Sequence, residues 1–280
     1  MTRELIDQIT NMMENIRVKK PLIHHITNYV TVNDCANIVL AIGASPIMAD
    51  DIDEVETITS ISSALVINIG TLNRRTIESM VAAGKRANEL GIPVVLDPVG
   101  AGASGLRNET TERLLAEVKL TVLRGNMSEI RFCAGLKADT KGVEVSEADQ
   151  KIGADEGSEV ARDVARKFGC VVAITGATDI ITDGERTIYI ENGTRHMSNV
   201  TGTGCMCTSL VGSFCGAMDE ATGGPLIAAA GGVLAMGLAG ELAYEAAKDK
   251  GYGSFHIAII DAASKLDSDT LGARAKIYEA

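Results

Sequence analysis

Tryptophan is absent from the 280 residues, and phenylalanine and tyrosine number only four and five. Single-stranded nucleic acid is held on aromatic stacking platforms, so that class of function is poorly served. Positive charge is short as well: 26 Lys and Arg face 37 Asp and Glu, a formal net charge of −11. Binding along a phosphate backbone needs a basic face. Any anionic ligand therefore has to be held by local donors or by a metal ion. Cysteine is present six times, at 35, 133, 170, 205, 207 and 215, but never as CxxC. Scattered thiols inside apolar runs point to a reducing compartment, not to a disulfide scaffold or a zinc site.

A long membrane-spanning run is also missing. The most apolar stretch, "PLIAAAGGVLAMGLAG" (Pro225–Gly240), stops at Glu241, short of the ~20 residues a span requires. Its alanines and glycines suit close packing, so a buried helix is expected there. The N-terminal "MTRELIDQIT" mixes charges with apolar residues at helical spacing, unlike a signal peptide. A cytoplasmic protein is expected.

What is present is alternation. The runs "ALVINIG", "PVVLDPVG", "LTVLRG" and "CVVAITG" are short and rich in β-branched residues, and helical patterns separate them. Uninterrupted apolar strands of this kind belong to a parallel sheet covered by helices on both faces. One helix ends at "ELGIP", where Gly91 supplies a left-handed cap and Pro93 bars continuation. "DIITDGERTIYI" carries Asp183-Gly184 between two β-branched runs, the signal of an antiparallel hairpin. A polar loop is read over 137–153 and a helix near 154–168. The last third is helical, at 203–218, roughly 225–248 and 254–266. No linker or repeat divides the chain, so one three-layer α/β/α domain spanning 1–280 is expected, its sheet mostly parallel with an antiparallel edge hairpin.

Ligands of open α/β sheets gather at the carboxyl ends of the strands. Those ends carry Gly70, Asp97, Arg124 with Asn126 and Glu129, and Thr175. Singly, each has a plain structural use. Aspartate before proline starts a turn, and Glu129 suits the first turn of a helix that Ser128 helps to cap. Together they offer two acids able to hold Mg²⁺, often through water, beside an arginine whose planar fork fits phosphate. "NVTGTGCMCTSLVGSF" (Asn199–Phe214) adds a helix start at which Gly202 and Gly204 let backbone amides approach an anion. The motifs GxxxxGK[ST] and GxGxxG after the first strand are absent, which sets aside P-loop and dinucleotide-binding folds of the usual kind.

With "ITNYVTVNDCANIVLAIGASPIMAD", "VLDPVGAGAS", "RGNMSEI", "AITG" and "VTGTGC" in this order, the chain resembles the hydroxyethylthiazole kinases of the ribokinase-like superfamily over essentially its whole length. The resemblance implies ATP-dependent phosphorylation of the hydroxyl of 4-methyl-5-(2-hydroxyethyl)thiazole, with Mg²⁺, in thiamine salvage. It implies that Arg124 and Thr175 contact ATP and that Asn126 supports the phosphates. Asp97 and Glu129 would organise the metal, and Asn28, Val30, Met48, Gly70 and Gly202 would form the thiazole site. It also implies a homotrimer with that site between subunits. Most ribokinase-like enzymes have GTGD where this chain has GTGC, so Cys205 stands at the position of the usual base. A helix N-terminus lowers a thiol's pKa, whereas neighbouring phosphates oppose a thiolate. Cys205 is expected to act as a modest base or positioning group within an anion hole that includes Gly202 and Gly204, and not as a covalent nucleophile. His24 and His25 are read as satisfied structural residues. An ATP-dependent dehydratase of hydrated NAD(P)H, or a non-catalytic thiazole- or nucleotide-binding protein, are the competing readings.

Overall fold

The structure, a computed structural model, describes residues 2–136, 154–219 and 222–280; the loop read over 137–153 lies outside them. Its centre is a nine-stranded sheet. In chain order the strands are β1 Leu22–Ile26, β2 Ser45–Met48, β3 Ala64–Asn68, β4 Val94–Asp97, β5 Val122–Gly125, β6 Val171–Ile174, β7 Asp179–Thr182, β8 Thr187–Ile190 and β9 Ile277–Glu279. They lie in the spatial order β2-β1-β3-β4-β5-β6-β7-β8-β9. The pairs from β2 through β6 are parallel, and β6 through β9 are antiparallel. The Asp183-Gly184 hairpin is thus found, but β9 continues the antiparallel end beyond it. Three residues near the C-terminus are too few to give a periodic signal.

Successive strand residues point to opposite faces, and both faces are buried. Ala64, Val66, Val95, Val122, Val171 and Ala173 join one core cluster, while Leu65, Ile67, Val94, Leu96, Leu123 and Val172 join the other. The first face is covered by α1 Thr2–Lys19, α2 Val32–Ile42, α8 Thr203–Ala217, α9 Pro225–Ala247, α10 Tyr252–Lys265 and α11 Ser268–Arg274. The second is covered by α3 Val55–Ser60, α4 Arg74–Leu90, α5 Gly105–Glu117, α6 Met127–Ala134 and α7 Ala154–Phe168. This is why the strands read as unbroken apolar runs. The α4 boundary follows its local signals: an Asn73–Thr76 capping box opens it, and Gly91 at φ +68° closes it.

The apolar run at 225–240 becomes the first part of α9, which is buried between α8 and α10. A Cβ at Gly232 would lie 2.5 Å from the backbone of Val211, and one at Gly231 2.5 Å from the Phe214 ring. The small residues of α9 therefore let α8 approach to backbone contact. That packing matters to the site, because it fixes where α8 begins.

Candidate functional site

Because β1 and β3 to β6 run parallel, their last residues share one edge of the sheet. Asn68 at the end of β3 is in register with Asp97 at the end of β4, and Gly125 of β5 with Ile174 of β6. The N-terminus of α8 lies over this edge. Gly202 is its N-cap at φ +87°, and a Cβ there would meet Thr31 at 2.7 Å. The first backbone bond of the helix runs from Met206 N–H to the Gly202 carbonyl, 2.8 Å. The N–H groups of 203–205 precede that bond and are turned outward at the positive end of the helix dipole. At Gly204 a Cβ would lie 2.9 Å from Arg124 Nη1. A side chain at either glycine would push aside a group belonging to the site.

Asp97 is buried. Its Oδ2 accepts from Thr208 Oγ1 at 2.7 Å and Asn68 Nδ2 at 3.0 Å, and it faces Arg124 Nη1 at 3.5 Å. Its Oδ1 is buried with no partner among the described residues. Burial raises the Asp97 pKa even though Arg124 pulls the other way. Glu129 is held by both oxygens. Oε1 accepts from Gly100 N–H and Oε2 from Asn126 N–H, each 2.8 Å, while Asn126 Oδ1 accepts from Glu129 N–H at 2.9 Å. The cap of α6 is therefore Asn126, in a capping box with Glu129, and not Ser128 as the sequence suggested. Burial, and then the charge of Asp97, push Glu129 up to about 7. Arg124 Nη2 donates to Thr175 Oγ1, so the two residues expected at ATP touch each other.

Asn28 and Asn68 both donate from Nδ2 to Cys205 Sγ, at 3.3 Å each. Burial and then Asp97 raise the thiol's pKa, outweighing these bonds. Burial thus disfavours the thiolate at this position. Gly70 joins the same group, its N–H donating to Asn68 Oδ1 at 2.9 Å. Val30 and Met48 do not bond to this cluster. Val30 is exposed on the loop after β1, and Met48 ends β2, about 14 Å across the strand ends from Asp97 at the usual strand spacing. His24 bonds Thr59 Oγ1 at 2.9 Å and the Ala49 carbonyl at 2.8 Å. His25 lies 3.1 Å from Ser209 Oγ and from the Ile23 carbonyl, and burial lowers it to about 4. Both have the satisfied, buried environment expected of structural histidines.

Three contributors were not anticipated. Asn68 links Asn28, Cys205 and Asp97; Thr208 donates to Asp97; and Arg107 of α5 donates to the carbonyls of Ile69 (3.0 Å), Gly70 (2.7 Å) and Val99, tying two strand-end loops together. Asn68 had a signal, an amide closing the apolar run "ALVIN". Thr208 had only its place one helical turn after Gly204, and Arg107 had none. All six cysteines are free, in keeping with the reading of scattered thiols.

Residues 13–269 match the hydroxyethylthiazole kinase family. Two relatives named hydroxyethylthiazole kinase are each 62% identical: one from Clostridium beijerinckii over 100% of both chains, one from Ruminiclostridium cellulolyticum over 99% of both. The chain belongs to the hydroxyethylthiazole kinase family. Membership makes it a kinase, with ATP as co-substrate, and sets the dehydratase and non-catalytic readings aside. A solved hydroxyethylthiazole kinase from Pyrococcus horikoshii OT3 superposes with a TM-score of 0.86 at 38% identity, covering 97% of this chain and 98% of that one. The pyridoxal kinase from Staphylococcus aureus, at 16% identity and a TM-score of 0.56 over 79% of this chain, shares the ribokinase-like fold.

Proposed function

We propose that this kinase transfers the γ-phosphoryl group of ATP directly, in line, to the hydroxyl of 4-methyl-5-(2-hydroxyethyl)thiazole in thiamine salvage. One observation carries the reading: the GTGC helix start stands over Asp97, Arg124 and Thr175 at one sheet edge, with the Cys205 thiol bonded to Asn28. Arg124 and Thr175 hold the nucleotide, and Asn126 shapes the loop beside its phosphates. The amides of residues 203–205, which Gly202 and Gly204 expose, stabilise charge developing on the transferred group. The acceptor lies among Asn28, Val30, Met48, Gly70 and Gly202, with Cys205 beside its hydroxyl. A loose phosphoryl-transfer transition state depends mainly on positioning and charge neutralisation, which suits a thiol that stays protonated. In the transfer the alcohol oxygen bonds to the γ-phosphorus as the bond to the bridging oxygen of ADP breaks, and the alcohol proton is released.

The donor set fits Mg²⁺. Asp97 Oδ1 is buried with no partner among the described residues, and a second buried carboxylate, Glu129, is pushed up by burial and then by the charge of Asp97, a penalty a cation would relieve. Mg²⁺ keeps much of its water and is commonly held by one or two carboxylates with substrate phosphates. Asp97 and Glu129 would hold it, and bound there it would neutralise charge on the β- and γ-phosphates.

We take residues 1–280 as one catalytic domain, working in the cytoplasm as a homotrimer with the thiazole site between subunits. Exposed Tyr29 and Val30, next to Asn28, support a covering subunit at that place. The test is an ATP-dependent assay across thiazole, hydroxymethylpyrimidine and pyridoxal alcohols, with Asp97→Ala as control. The thiazole should be preferred and the control inactive; preference for another alcohol rejects the substrate.

A further inference from the structure

Asn68 is the last residue of β3 and is 1% exposed. Its amide is fully engaged. Nδ2 donates one hydrogen to Asp97 Oδ2 at 3.0 Å and the other to Cys205 Sγ at 3.3 Å; Oδ1 accepts from Asn28 Nδ2 at 3.0 Å and from Gly70 N–H at 2.9 Å. No further donor or acceptor remains on it. Asn28 Nδ2 also reaches Sγ at 3.3 Å, so two amide hydrogens point at one sulfur and occupy its acceptor directions. The thiol hydrogen is left to point elsewhere. On the carboxylate, Asn68, Thr208 and Arg124 all lie at Oδ2, and Oδ1 has no partner among the described residues. The Asn68 amide thus helps Thr208 and Arg124 hold Asp97 by Oδ2 and helps Asn28 hold the Cys205 sulfur, and it is the one side chain among the described residues that does both.

We propose that Asn68 is a positioning residue for phosphoryl transfer: its single amide ties the thiol at the acceptor end of the site to the carboxylate at the phosphate end. The inference rests on the proposed reaction and adds to it a residue that touches neither substrate. A rigid link of this kind fixes the acceptor hydroxyl relative to the phosphoryl group, and small misplacements of reacting atoms cost orders of magnitude in rate. A residue that only satisfied buried polar atoms would lower stability without favouring one acceptor over another. A positioning residue decides whether the phosphoryl group goes to the alcohol or to water.

The experiment uses the full chain with ATP, Mg²⁺ and the thiazole alcohol, and measures thiazole phosphate and inorganic phosphate separately. For Asn68→Ala, kcat for the alcohol should fall about 100-fold. The ratio of ATP hydrolysis to alcohol phosphorylation should rise about tenfold, and ATP affinity, measured by calorimetry, should stay within about threefold of the parent. Asn68→Leu keeps much of the size and removes the amide without adding a charge beside Asp97; it should show the same shift and serves if the alanine variant does not fold. An unchanged ratio in a folded variant, or a parallel loss of ATP binding and turnover, overturns the proposal. If the parent itself prefers another alcohol, the substrate reading fails, and the same ratio measured with that alcohol still decides the role of Asn68.

Discussion

Replacing Thr208 by valine isolates one bond to the central carboxylate. Thr208 lies on α8 at 0% exposure, and its hydroxyl donates to Asp97 Oδ2 at 2.7 Å, in addition to a longer 3.3 Å approach to the Gly204 carbonyl. Valine has nearly the same shape, so the packing is kept and the donor is lost. A buried hydrogen bond to a charged group contributes about 1.5–3 kcal/mol. Asn68 and Arg124 still face Oδ2, which places the cost near the middle, about 2 kcal/mol. For a chain of this size that corresponds to a fall in melting temperature of about 3 °C. Urea unfolding at pH 8 would show the loss as a lower midpoint with an unchanged slope. Thr208→Ser is the comparison: it keeps the hydroxyl and removes a methyl group, at about 1 kcal/mol. Thr208→Val should therefore be the less stable variant and the slower enzyme. If serine proves the more damaging change in both respects, packing and not the bond to Asp97 is what Thr208 supplies.

Cys205→Ala should lower kcat about tenfold or more while ATP affinity, read by calorimetry, changes little; unchanged turnover would remove Cys205 from the chemistry. Gly232→Ala should destabilise the protein by about 1–3 kcal/mol or more, seen in urea midpoints, because its methyl would meet the Val211 backbone at 2.5 Å and there is no flexible side chain to yield. Asp179 gives a pH dependence. Burial raises it from 3.8 to about 7, against Gly176 N–H donation and the Arg124 charge. The folded state thus binds this proton more tightly than the unfolded chain. Its contribution to stability is full below about pH 4 and is lost as pH rises to about 7. Asp179→Asn should flatten the parent's decline over that interval in unfolding curves taken at successive pH values; an identical slope refutes it.

The strand ends were legible because their residues are special in kind. Asp97 before proline, Arg124 closing an apolar run, and glycines ahead of a helix each break a local pattern, and the parallel arrangement implied by the runs sends them to one edge. The buried nature of α9 was legible for the same reason: alanine and glycine without charge have no use on a wetted face. By contrast, Ser128 looked like a cap because side-chain type alone does not say where a helix begins. The structure gives that place to Asn126, whose side chain meets the backbone N–H of Glu129.

From local pattern the sequence determined a doubly covered, mostly parallel sheet, the strand-end acids and arginine, and a helix start opened by glycines. Only the tertiary structure decided that Asn68 joins Cys205 to Asp97, that Thr208 satisfies the same carboxylate, and that Arg107 clasps two loops from another helix. It also decided the surroundings of Cys205. A helix N-terminus favours a thiolate, but burial and the nearby Asp97 raise the thiol's pKa. Periodicity is a property of neighbours along the chain and can be read from letters. Burial and bonds between residues 29 to 177 positions apart are set by packing, and no local pattern records them.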